Sequence, residues 1–168
     1  MHNLHLLLHR LADAGVDFVV VGGFAGVIHG SALVTRDVDV CAVLSAENVD
    51  KIRKALADIN PVHRQTHRQL SFLEHPAPGQ PLVNLYLKTD SGVIDVLSSI
   101  LGVGDFERLR QRAVNMPMFG RTFAVISIED LIVAKEAVGR EKDLLAAKEL
   151  RAIQAKLAQQ SSGHPEKL

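Results

Sequence analysis

An excess of charge of either sign is missing from this chain: 19 Lys and Arg residues balance 19 Asp and Glu over 168 residues. That balance excludes the broad basic field with which proteins gather nucleic acid, and leaves room only for a small basic groove. Cysteine is nearly absent as well. The single Cys41 excludes an internal disulfide and a multi-cysteine zinc site, in keeping with a reducing compartment. No apolar run approaches the roughly 20 residues that span a bilayer. The opening MHNLHLLLHR has no basic flank, long apolar stretch or cleavage site of a secretion signal. A cytoplasmic protein with no membrane partner is expected. There is no G-x-x-x-x-G-K-[ST] loop, no HExxH, no internal repeat and no internal linker. The composition, 47% apolar and 23% charged, is that of a globular domain. A single domain is expected over residues 1–160, with a disordered tail at 161–168.

What is present is concentrated in one stretch. Val19-Val20-Val21 reads as an apolar strand that runs into Gly22-Gly23, and Thr35-Arg36-Asp37-Val38-Asp39-Val40 follows one short helix later. Side chains alternate along a strand, so Asp37 and Asp39 share a face while Val38 and Val40 point into the core. Two residues of strand span roughly 6.7 Å, a spacing that lets two carboxylates flank one or two divalent cations, which in two-metal sites lie about 3.5–4 Å apart. Val34, Val38, Val40 and Val43 mark the segment as a buried strand, where unpaired carboxylates are costly. Asp95 repeats the anomaly inside Gly92-Val93-Ile94-Asp95-Val96-Leu97. The glycine pair reads either as a plain strand-ending turn or as a phosphate cradle of free N–H groups at a helix start.

Periodicity predicts helices over residues 3–14, 24–29, 46–59 and 106–112. A long helix is expected from Ser127 to about Gln160, with a break near Gly139. Strands are expected at 17–21, 34–43, 70–73, 82–87 and 93–97, with a hairpin turning at Phe119-Gly120-Arg121. An α+β domain follows. The histidines at helical spacing (His2, His5 and His9; His63 and His67) read as surface residues, Cys41 as a small core residue, and Lys135 either as a solvated face or as a phosphate contact.

Together, Gly22-Gly23, a short helix, Asp37-x-Asp39 and a later strand acid Asp95 resemble the nucleotidyltransferase superfamily, the DNA polymerase β-like fold. The likeness is closest to small bacterial proteins with a GG…HG…T-x-D-[VI]-D pattern, matched here by His29-Gly30 and Thr35. Their C-terminal DL…K…GR-x-KD is matched by Asp130-Leu131, Lys135, Gly139-Arg140 and Lys142-Asp143. The resemblance spans residues 16–145. It implies a central mixed β-sheet flanked by helices with a long C-terminal helix. It also implies metal-dependent transfer of an NMP from a nucleoside triphosphate to an acceptor hydroxyl. Asp37, Asp39 and Asp95 would be the catalytic residues and ligands of Mg²⁺ or Mn²⁺. Gly22, Gly23, Thr35, Arg36 and Lys135 would bind the nucleotide. The chain departs from the pattern at Leu33, where an Arg is frequent, so that Arg36 or Lys135 has to supply the missing charge. The acceptor (protein, tRNA or small molecule) is open. Two further readings stand beside this one. The first is a catalytically silent nucleotide-binding or toxin–antitoxin partner protein of the same fold. The second is a metal-dependent sugar transferase using the D-x-D pair, against which the upstream glycine pair counts.

Overall fold

The computed structural model describes residues 3–163. Its strands are β1 (Val19–Val21), β2 (Asp37–Cys41), β3 (Val62–His63), β4 (Asn84–Thr89), β5 (Gly92–Leu97), β6 (Ser99–Ile100), β7 (Gly104–Asp105), β8 (Val114–Met118) and β9 (Arg121–Val125). Its α-helices are α1 (Leu4–Asp13), α2 (Gly22–Ile28), α3 (Ala46–Leu56), α4 (Phe106–Arg112), α5 (Ile128–Val138) and α6 (Glu141–Ser162). Seven strands form one mixed sheet in the order β3-β4-β5-β2-β1-β9-β8, so the α+β expectation holds, and β6 pairs with β7 separately.

The two faces of β2 divide the labour. Val38 and Val40 are fully buried, as are Ile94 and Val96 on the parallel neighbour β5, and α1 packs against both strands beside α3. Leu7, Leu8 and Leu11 of α1 and Val49, Ile52 and Leu56 of α3 are buried too, the stripes their spacing predicts. Burial of each large aliphatic side chain contributes about 1.5–3 kcal/mol, and this layer is what holds β2 rigid. The other face carries the carboxylates.

Several boundaries differ from the sequence reading. Val34 is 90% exposed and Val43 is exposed, so neither marks a buried strand. β2 begins only at Asp37, opposite Val93, where β5 first offers a partner. Residues before it are drawn elsewhere: Ser31 Oγ and the Ala32 N–H both donate to the Glu149 carboxylate of α6. The strand expected at 70–73 is absent, apart from one bridge between Ser71 and Val62. Its backbone bonds are divided: the Phe72 N–H donates to the Pro61 carbonyl and the His63 N–H to the Leu70 carbonyl, both at 2.9 Å, while Arg53 Nε donates to the Phe72 carbonyl at 3.1 Å and Nη2 to that of Pro76 at 2.7 Å. The expected break at Gly139 is complete. This residue adopts φ 71°, its N–H closes on the Lys135 carbonyl, and α6 starts afresh at Glu141. Ser161 and Ser162 belong to α6 rather than to a tail, and residues 164–168 lie outside the described residues.

Candidate active site

The register places the acids. Asp39 pairs with Asp95 across β2–β5, and Asp37 with Val93. Asp39 also stands opposite Val21 of β1, and Asp95 opposite Tyr86 of β4. Tyr86, Asp95, Asp39 and Val21 thus form one row across four strands, with neighbouring strands about 4.8 Å apart. Immediately after Val21 the chain turns through Gly22 at φ 67°. A Cβ there would run into the Asp39 carboxylate and lie 2.9 Å from the Asp39 Cβ. Only glycine lets the start of α2 sit against the acid. At Gly23 a Cβ would come 3.1 Å from the Thr35 hydroxyl, which itself donates to the Asp37 carbonyl.

A cleft of about 510 Å³ opens above this row. Gly23, Thr35, Asp37, Asp39 and Asp95 line its floor, and Lys135 of α5, Arg140 just before α6 and Lys142 of α6 bring cationic side chains. Gly22 lines an adjoining cavity rather than this one. Arg36 lines neither; it is exposed, one residue out of phase with the acids. The cations that line the cleft are therefore Lys135, Arg140 and Lys142. Arg140 and Lys142 belong to the C-terminal sequence motif, but their place in the cleft follows from the helix break at Gly139. Asp143 organises them: almost wholly buried, it accepts from Arg140 Nε at 2.6 Å and lies 3.9 Å from Lys135 Nζ. The Arg140 hydrogen bond holds its carboxyl below the usual range.

Electrostatics on the floor run the other way. Burial first, then the charges of Asp95 and Asp37, push Asp39 up from 3.8 to about 6, with Lys135 and Arg64 opposing. Asp95 is also raised by burial, against the pull of Arg64. Arg64 gives no warning in the sequence, where it is one cation in a polar loop. In the structure its Nη2 donates to Asp95 Oδ2, its N–H bonds the Tyr86 carbonyl at 3.1 Å, and its guanidinium lies 5.5 Å from the centre of the Tyr86 ring. Asp95 Oδ1 and Arg64 Nε are buried with no partner. Other reactive groups are accounted for structurally. Burial pushes the Cys41 thiol up to about 12, far from a thiolate at neutral pH. His29 Nε2 lies 2.7 Å from the Ile126 carbonyl and ties the end of α2 to the strand-to-helix junction at β9.

Oxygen-only donors suit a hard divalent cation. Asp39, raised by burial and then by its neighbouring acids, and the unpartnered Asp95 Oδ1 both favour positive charge between them. Among the described residues no group of three or more acidic, His or Cys side chains converges into a ready-made cage.

No curated protein matches the chain. Solved structures do. The lincosamide antibiotic adenylyltransferase LnuA, with lincomycin bound, superposes with a TM-score of 0.62 at 18% identity, covering 89% of this chain and 95% of that one. A protein of Thermotoga maritima described as a nucleotidyltransferase superposes with a TM-score of 0.53 at 17% identity, covering 91% of each chain. Both likenesses are of fold. The family model described as "Nucleotidyl transferase of unknown function (DUF2204)" matches residues 1–162. With nearly its whole length matched, the chain belongs to this family of nucleotidyl transferases.

Proposed function

We propose that the chain moves a nucleoside monophosphate from a nucleoside triphosphate to an acceptor hydroxyl in a divalent-metal-dependent reaction. One observation carries this reading. Asp37 and Asp39 share a face of β2, have Asp95 in register on β5, and face Lys135, Arg140 and Lys142 across one cleft. Carboxylates alone would repel a triphosphate and cations alone would bind it without chemistry; opposed across a cleft, they support both binding and transfer.

Asp37 and Asp39, with Asp95 beside them, would hold Mg²⁺ or Mn²⁺, which when bound supplies positive charge to the phosphate oxygens. Lys135 and Arg140, fixed by Asp143, neutralise the outgoing pyrophosphate. Gly22 and Gly23 present backbone N–H groups of the first turn of α2, which have no partner within the helix. The Thr35 hydroxyl stands between Gly23 and Asp37 and orients a phosphate oxygen. Asp95 keeps one carboxylate oxygen on Arg64 and the other free, so it takes the proton of the acceptor hydroxyl as the new bond forms.

Incubation with each α-labelled NTP, Mg²⁺ or Mn²⁺ and a cell lysate tests the reading. Labelled product is expected with the wild type and none with Asp37→Asn/Asp39→Asn. The second reading, a nucleotide-binding protein without transfer, is favoured by the Arg64–Asp95 pair, which occupies half of the third acid. It predicts nucleotide binding with no labelled product from any acceptor pool.

A further inference from the structure

A second cavity of about 380 Å³ adjoins the charged cleft. The two share Asp39, Lys135, Arg140 and Asp143, and among the described residues these four are the only charged ones that line the second cavity. Its remaining wall is largely apolar: Val83 from the approach to β4, Leu97 at the end of β5, Ile100 and Leu101 beyond it, and the ring of Tyr86. Away from the seam, such a wall suits an apolar body better than a polyphosphate chain. The volume lies within the roughly 300–1,000 Å³ of small-molecule sites. It has no unshared cation to track a nucleic-acid backbone.

In-line transfer fixes which substrate belongs there. The attacking and leaving oxygens lie on opposite sides of the α-phosphorus. Lys135 and Arg140 stand on the seam between the two cavities, whereas Gly23, Thr35 and Lys142, suited to phosphates, and the exposed Leu33 and Val34, suited to flank a nucleoside, line the charged cleft and not the second cavity. With the α-phosphate at Asp39, on the seam, the attacking oxygen arrives from the second cavity.

We propose that this cavity is the acceptor site, and that the acceptor is a small hydroxyl compound with an apolar body rather than RNA or a protein. The inference rests on the nucleotidyl-transfer reading above. The acceptor oxygen bonds to the α-phosphorus as the bond from that phosphorus to the α,β-bridging oxygen breaks. Pyrophosphate leaves with the bonding electron pair. The hydroxyl proton passes to Asp95, one strand from Asp39, and then to water. The products are the nucleotidylated acceptor and pyrophosphate.

Val83 and Leu101 suit a test, because they line the cavity yet are 73% and 66% exposed, so Val83→Asp and Leu101→Asp should leave the fold intact. Naphthylethanol is the acceptor probe, followed by saturation-transfer NMR, and mant-labelled NTPs with Mg²⁺ report nucleotide binding by fluorescence. The wild type is expected to bind both, and to pass label from the corresponding α-labelled NTP to naphthylethanol. Each variant should weaken naphthylethanol binding roughly tenfold or more, with mant-nucleotide affinity unchanged. Three results overturn the acceptor assignment while leaving nucleotidyl transfer standing. The first is naphthylethanol affinity retained by the variants; the second is loss of mant-nucleotide affinity instead, which makes this the nucleoside chamber; the third is a wild type that does not bind the probe and labels RNA or protein. Absence of mant-nucleotide binding by the wild type sinks the functional reading itself, and this inference with it.

Discussion

Asp39 carries the largest electrostatic strain on the cleft floor, and its pH dependence has a definite sign. Its folded-state value of about 6 exceeds the ordinary 3.8, so the native state binds the proton more tightly than the unfolded chain. The stabilisation is fully present below about pH 3.8 and is lost as pH rises through 6, a difference of about 3 kcal/mol. Asp39→Asn is therefore expected to raise the metal-free melting temperature at pH 7.5. The gain should shrink as pH falls towards 4, a trend that differential scanning calorimetry across that window reads directly. Equal melting temperatures at pH 7.5 would contradict the assignment of strain to this carboxylate. Gly22→Ala acts at the same place by sterics: φ 67° costs a non-glycine residue about 1–2 kcal/mol, and its methyl collides with Asp39. Urea unfolding should show at least that loss, whereas an unchanged midpoint would mean the turn relaxes freely. The pairing of Asp37 with Asp39 on one face was readable from their spacing, because strand alternation is local. Arg64 was not, since a loop cation becomes a partner of Asp95 only after β3, β4 and β5 have assembled.

Elements taught a similar lesson about what spacing can and cannot convey. The helix break at Gly139 was legible because a glycine inside a helical pattern is a local signal. The strand expected at 70–73 is reduced to a single bridge to Val62, and Arg53 takes the Phe72 carbonyl from the other side. Buried to 7% exposure, Arg53 bonds two loop carbonyls, pairs with Asp50 at 2.6 Å and lies 5.0 Å from the centre of the Phe72 ring. Arg53→Ala strips partners from the Phe72 and Pro76 carbonyls and loosens a fully buried aromatic ring. A loss of about 2–4 kcal/mol is expected in urea denaturation. Faster amide exchange should be confined to the loop after β3, and a variant with wild-type exchange there would show that other contacts hold the loop. The register of Asp95 with Asp39 was likewise beyond spacing. Strand order is set by which surfaces pack, so a third acid on an apolar strand signalled a site without showing its neighbour.

At the scale of the whole molecule, the candidate site is a contact between two separate parts: acids on the sheet and cations on α5 and α6. A ligand that bridges them ties the helical pair to the sheet. Saturation with divalent cation and NTP at a hundredfold excess over Kd is expected to stabilise the wild type by about 2.7 kcal/mol, read as a rise in melting temperature. Asp37→Asn/Asp39→Asn should remain folded and lose that response, and equal shifts in both proteins would remove these residues as ligands. The order of the sheet has a further consequence, for synthesis. β1 lies between β2 and β9, and Val20 meets its β9 partner, Val125, only when more than a hundred further residues have been made. Translation is vectorial, so a nascent chain that has already emerged through β5 still shows one open, all-valine strand edge. Ribosome stalling or premature termination between β5 and Val125 leaves a fragment with a sticky β-edge and a full row of acids without Lys135, Arg140 and Lys142 to face it, the kind of species that quality-control chaperones and proteases clear.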